Sequence, residues 1–226
     1  MKDIRLYIGM LIFNFVFTAV KAQTVNWQGF ADNEKHILNA NIGAEYALIY
    51  GLGYGYKFKN KLFPVIANAE FSIPSGSKLL DDFKVKFGGN VRWVKLGGFQ
   101  FSTKAQGIFR QFENENVRLA NFGLDMAGVV GYYKNRRFVA VEVGFDKAII
   151  THFKHSDTYR EIYPGVKDGW YEPATGGNFY YVLQGGYSFK NQEIYLKVGS
   201  IVSQDFKTKP QLPYLVQLGY NYKLPF

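Results

Sequence analysis

The sequence contains no cysteine. That excludes disulfides and thiolate metal sites, and a chain without either is held by its core or by a bilayer. Histidine is also scarce, three residues in 226, and His36 stands apart from the other two. Beyond residue 22 no apolar run is long enough for a transmembrane helix, and the mean hydropathy is slightly polar at −0.15. A glycine-rich phosphate loop is lacking too. Gly51, Gly53 and Gly55 sit in an alternating stretch that reads as a strand, with no dinucleotide fingerprint around it.

What is present begins at the N-terminus. Lys2 and Arg5 make a basic region, residues 6–20 an apolar one, and Val20-Lys21-Ala22 a cleavage site. Residues 1–22 are therefore read as a secretory signal peptide and residues 23–226 as one domain. Asn14 and Thr18 interrupt the apolar run, which argues against an uncleaved anchor; no cysteine follows the site, which excludes a lipoprotein. Removing Lys2, Arg5, Lys21 and Asp3 leaves 24 basic and 17 acidic side chains, a net charge of +7. Seventeen Tyr and 21 Phe are many for a soluble domain of this size, whereas two aromatic girdles would use them.

Nine segments alternate apolar with polar at period two. In residues 38–58 one face carries Leu38, Ile42, Tyr46, Leu48, Tyr50, Leu52 and Tyr54, and the three glycines lie opposite. The others span residues 62–74, 83–94, 98–112, 117–134, 137–153, 178–189, 193–202 and 213–226. Lys147 breaks the apolar face of its segment, so it snorkels to an interface or the strand carries a bulge. A soluble β-sandwich alternates as well. It does not explain charge on the minority face of nearly every strand together with aromatics on the other.

The last segment, PYLVQLGYNYKLPF, puts Tyr214, Val216, Leu218, Tyr220, Tyr222, Leu224 and Phe226 on one face and ends on an aromatic. It resembles the closing strand of Gram-negative outer-membrane β-barrels. The resemblance implies an all-β, transmembrane, antiparallel up-and-down barrel in the bacterial outer membrane. It also implies contact with outer-membrane lipids and lipopolysaccharide. Tyr220, Tyr222 and Phe226 would then form the signal read by the barrel-assembly machinery.

Short basic connections near residues 59–61, 95–97, 134–137 and 190–192 alternate with longer ones at 75–82, 113–116, 154–177 and 207–212, as periplasmic turns alternate with extracellular loops. Export starts the chain in the periplasm, so one strand more than nine is needed. Either a hairpin turns at residues 43–45, setting Ile42 opposite Tyr46, or a weaker strand lies in residues 25–33. Both give ten strands; eight and twelve are the alternatives.

A barrel this small has a lumen filled by side chains. The inward charges are Glu70, Lys84, Lys86, Arg92, Lys104, Arg110, Asp125, Glu142, Asp146, Lys197 and Lys223. Seven cations face four anions, which suits a structural ion-pair network or a narrow anion-leaning channel. His152 falls on the same inward face as Glu142 and Asp146, and His155 precedes Ser156. Small outer-membrane barrels include lipid A-modifying enzymes with a Ser/His/acid site at the rim, but their His-x-Ser-Asn type of motif is missing here. No catalytic residues, cofactor or metal are assigned. The longest loop offers Tyr159, Tyr163, Trp170 and Tyr171 to an extracellular protein or glycan, or packs them over its own mouth. Basic residues are spread over turns and lumen, which speaks against nucleic acid.

Overall fold

The computed structural model describes residues 24–45, 47–58, 60, 63–76, 80–173, 176–207, 210 and 212–225. The expected signal peptide, Tyr46 and Phe226 lie outside them. Ten strands form the wall: β1 (Glu34–Ala44), β2 (Leu48–Phe58), β3 (Val65–Pro74), β4 (Asp82–Leu96), β5 (Phe99–Glu113), β6 (Val117–Lys134), β7 (Arg137–His155), β9 (Gly177–Phe189), β10 (Gln192–Ser203) and β11 (Tyr214–Pro225). Between β7 and β9 the described residues form a short helix, α1 (Asp157–Ile162), and a three-residue strand, β8 (Gly169–Tyr171), that pairs with β7. Each wall strand pairs antiparallel with its neighbours, and β1 pairs with β11, so the sheet closes with no open edge.

The first strand comes from the hairpin option. Its turn sits later than the 43–45 expected from sequence, because Gly43 and Ala44 still pair, with Ile49 and Leu48. Glu45 then donates its N–H to Ala47 O at 3.2 Å, and Ile42 faces Tyr50 rather than Tyr46. Residues 25–33 are not a strand. They turn into the lumen at the end that carries the short connections.

Two bulges shift the side-chain phase, as one extra residue must in a period-two element. In β4 the register slips between Arg92 and Val94, so Trp93 and Val94 both face outward. In β7 the ladder passes from Ala148 to Ile150, leaving Ile149 unpaired. Beyond it Thr151 turns inward, and His152 sits opposite Ala120 on the outer face. The expected inward position of His152 beside Glu142 and Asp146 is therefore corrected. Lys147, across from Leu124, stays on the outer face two residues before the bulge.

The strands differ in height. β1–β3, β10 and β11 have 10 to 12 residues, whereas β6 has 18 and β7 has 19. A tilted strand of about 9–11 residues crosses a bilayer, so the β6–β7 side stands well above the rim of the β1–β3 side. Inside, tyrosines lie across glycines. Tyr180 pairs with Gly144 and Tyr195 with Gly219, where a Cβ would meet the tyrosine ring at 2.3 and 2.1 Å. Gly144→Val should therefore dislodge Tyr180 and destabilise the barrel by about 1–3 kcal/mol. Urea unfolding in lipid vesicles measures this; an unchanged midpoint would show that the ring has another seat.

Candidate functional site

The outer wall is apolar through its middle, with Leu52, Met126, Val141, Leu183 and Leu196 all about half exposed or more. Rings mark both ends. Near the short turns, Phe63 meets Trp93 at 5.2 Å and Phe99 meets Tyr132 at 5.0 Å. Near the long loops a chain of ring contacts runs Phe71, Phe83, Phe109, Phe122, Trp170 across neighbouring strands. A closed barrel with an oily belt between two aromatic rims and a polar, charged interior has hydrocarbon as its outer solvent. The protein is a small outer-membrane β-barrel. It sits in the bacterial outer membrane, in contact with its lipids.

Glu70, Lys86, Lys104, Arg110, Asp125, Glu142, Asp146 and Lys197 line one cavity in the lumen, Lys84 and Lys223 are buried, and Arg92 lies over Trp27. Asp125 anchors Lys86 at 3.0 Å and Lys104 at 3.2 Å; Glu142 holds Lys104 and Lys197, each at 2.7 Å. Tyr180 donates its hydroxyl to Asp125 at 2.6 Å. Arg110 approaches Asp146 at 3.8 Å. Two carboxylates missed from sequence join the set. Glu45, in the β1–β2 turn, pairs with Lys84 at 2.5 Å, and Glu193 pairs with the wholly buried Lys223 at 3.0 Å. Glu193 had a signal, since it shares parity with Lys197 along β10; Glu45 had none, being placed by a turn. These two offset part of the cationic excess read from sequence, although Lys57, opposite the buried Ile66 and over the Phe30 ring, also faces inward; the charge ground for anion selectivity weakens accordingly. Glu70 and Arg92 lack an ion pair among the described residues. Glu70 lines a polar cavity of about 350 Å³, and Arg92 lies over the Trp27 ring at 5.6 Å.

The lumen is stopped at its short-turn end. Val25 and Trp27 pack with Ile37, Ile66, Tyr133, Phe138 and Tyr195 into an apolar core inside the barrel. Asn26, wholly buried, takes the Glu193 carboxylate on its backbone N–H at 3.1 Å and donates its amide to Lys134 O at 2.8 Å and Ser188 Oγ at 3.1 Å. Phe30 lies under the ammonium groups of Lys57 and Lys223, at 4.3 and 4.7 Å. Sequence reasoning missed this plug because nine residues with two aromatics and no steady period look like a weak strand.

The long loop does not cross the mouth. It folds back on the tall β6–β7 wall, with β8 covering the free edge of β7 and Ser156 N–H donating to Asn116 O at 2.9 Å. Trp170 packs on Phe122 and His152, at 6.1 and 4.9 Å. Tyr171 packs edge-on to Phe153, and Tyr159 stacks on His155 at 5.3 Å. Tyr163 and Ile162 stand exposed at the end of α1. Ser156 is the N-cap of α1, its hydroxyl accepting from Tyr159 N–H at 3.2 Å. Asp168 ties the loop down: it accepts from the His155 backbone N–H at 2.8 Å, meets the His155 ring at 2.9 Å, and binds Arg160 at 3.2 Å. These hydrogen bonds, the backbone one first, hold the Asp168 carboxyl below its usual range.

No protein-family model and no curated protein matches the chain. Solved structures it is similar to include the KdgM porin in complex with disordered oligogalacturonate, at 10% identity and TM-score 0.43 over 83% of this chain and 99% of that one. The outer membrane enzyme PagL is similar at 13% identity and TM-score 0.36, over 84% and 99%. The Yersinia pestis outer membrane protein Ail is similar at 14% identity and TM-score 0.32, over 84% and 99%.

Two predictions follow the ion pairs. Glu193→Ala strands the buried Lys223 and should cost about 3–5 kcal/mol, whereas Glu70→Ala, which breaks no pair, should stay within about 1 kcal/mol; parallel urea titrations compare them, and equal losses would refute the pairing argument. A carboxylate with a depressed folded pKa stabilises above its unfolded value of 3.8 and loses that contribution as pH falls through the folded one. Amide exchange at His155, normalised to its intrinsic rate, should therefore hold steady down to about pH 4 and rise below. A flat profile through strong acid would show that Asp168 does not hold the loop.

Proposed function

We propose that this barrel is a non-enzymatic surface anchor: a sealed lumen that fixes the protein in the outer membrane, and a raised loop that meets an extracellular protein or glycan. The observation that carries it is the plug. Residues 24–33 fill one end of the lumen with an apolar core and buried hydrogen bonds, so the interior supports the wall instead of passing solute. The three longest connections, after β3, β7 and β10, lie at the opposite end, which in such barrels faces outward. There the tall β6–β7 wall lifts α1 clear, with Tyr163 54% and Ile162 64% exposed at its tip. Exposed Tyr beside an aliphatic residue on a fixed helix suits a partner's pocket, since two rigid side chains lose little entropy on binding.

The chemistry at the rim argues against catalysis. The β7 bulge turns His152 away from the inner carboxylates, and the Ser156 hydroxyl is engaged as a helix cap. His155 does pair with Asp168 at 2.9 Å, but the neighbouring Ser156 hydroxyl serves the helix N-terminus, and no contact joins it to the imidazole among the described residues.

Conductance separates an anchor from a channel. In planar bilayers the full barrel should show no unitary steps, and deletion of residues 24–33 should produce them. Steps from the intact protein, weakened by Arg110→Glu, would instead establish a channel. For display, Tyr163→Ala with Ile162→Ala should reduce binding to whole host cells or a glycan array about tenfold or more; full binding by the double variant would overturn the loop's role.

A further inference from the structure

The outer wall above the long-loop aromatic rim is layered in rows that the strand register fixes. Phe109, Phe122 and Ile150 form one row across β5, β6 and β7; Gln111, Ala120 and His152 form the next; Glu113, Arg118 and Lys154 the one above. Trp170, paired with His152, extends the middle row. Aromatic rings at a barrel rim sit at headgroup depth. The two rows above them therefore face lipid headgroups, and those rows surround a shallow hollow. Phe109, Gln111, Arg118, Ala120, His152 and Lys154 line it, with Ala120 leaving room at its floor.

Protein balances the charges there only in part, since Glu113 answers Arg118 and no carboxylate among the described residues answers Lys154. Arg118 meets Glu113 at 3.5 Å and donates to Gln111 at 3.1 Å. Lys154 has no ion-pair partner among the described residues, and neither has Lys147, lower on the same face and level with Leu124. A lysine in the oily belt with no protein counter-ion extends toward headgroup phosphates. The β7 bulge is what gathers this set. Without the extra residue Ile149, His152 and Lys154 would point into the lumen and Thr151 and Phe153 would face lipid.

We propose that this hollow binds a phosphate of an outer-leaflet glycolipid headgroup, with Arg118 and Lys154 as its charged ligands and Gln111 and His152 as neighbouring donors. The ring row below fixes the acyl chains at the matching height. This site is independent of the display role of α1.

The test uses the whole barrel in phosphatidylcholine nanodiscs doped with either bis-phosphorylated or dephosphorylated lipid A, with bound lipid counted by native mass spectrometry. Each cation near a membrane surface contributes about fivefold in affinity. The phosphorylated form should thus be retained over the dephosphorylated one, and Arg118→Ala with Lys154→Ala should lose about thirtyfold of that retention. Arg118→Lys should keep most of it. All these side chains lie on the surface, and the heat-dependent shift of the folded barrel on gels reports the fold separately. Equal retention of the two lipids, or undiminished retention by the correctly folded double variant, would overturn the proposal.

Discussion

Hydrocarbon gives a peptide group nothing to hydrogen-bond with, and that single constraint organises this molecule. A strand in lipid needs a partner on both sides, so the sheet must close, and β1 must meet β11 although the whole chain separates them. Once closed, the period of two assigns every second side chain to lipid and every other to the lumen. The composition follows from it: a slightly polar chain with an oily exterior, because only half of each strand has to be oily.

Closure hands the interior a second problem. A ten-strand lumen is narrow and largely filled by side chains, so charges placed there need partners within reach. The structure meets this in layers. Apolar side chains and the plug occupy the short-turn end; Asp125 and Glu142 bridge three lysines in the middle; Glu45 and Asp146 answer Lys84 and Arg110 towards the mouth. Such a network holds all sides of the wall to one another. It fixes the barrel's cross-section more than it selects any solute.

The strand number, the phase of the closing strand and the inward parity of the charges were legible because alternation is a local property of the sequence. What was not legible depends on events that alternation cannot encode. The bulge at Ile149 leaves one trace, the misplaced Lys147, and that alone does not locate the phase change, so strict alternation puts His152 on the wrong face. Glu45 pairs with Lys84 only because a turn happens to deliver it over the rim. The plug has a buried asparagine and a glycine among its aromatics, so its burial is decided by Glu193, Ser188 and Asn221 far along the chain. Contacts between distant segments carry no periodic signature.

The plug also bears on the seam. Every wall pair but β1 with β11 belongs to strands that follow one another along the chain, so this junction is where a barrel would unzip sideways. The segment just ahead of β1 passes beneath it: Thr24 O accepts from Asn221 of β11 at 2.7 Å, Asn26 binds Glu193 of β10, and Lys223 of β11 donates to Gly29 O at 2.8 Å. The chain thereby staples its own first and last strands from within. Parting them requires withdrawing a tryptophan from an oily pocket as well as breaking a ladder, so lateral release into the bilayer is coupled to extraction of the plug.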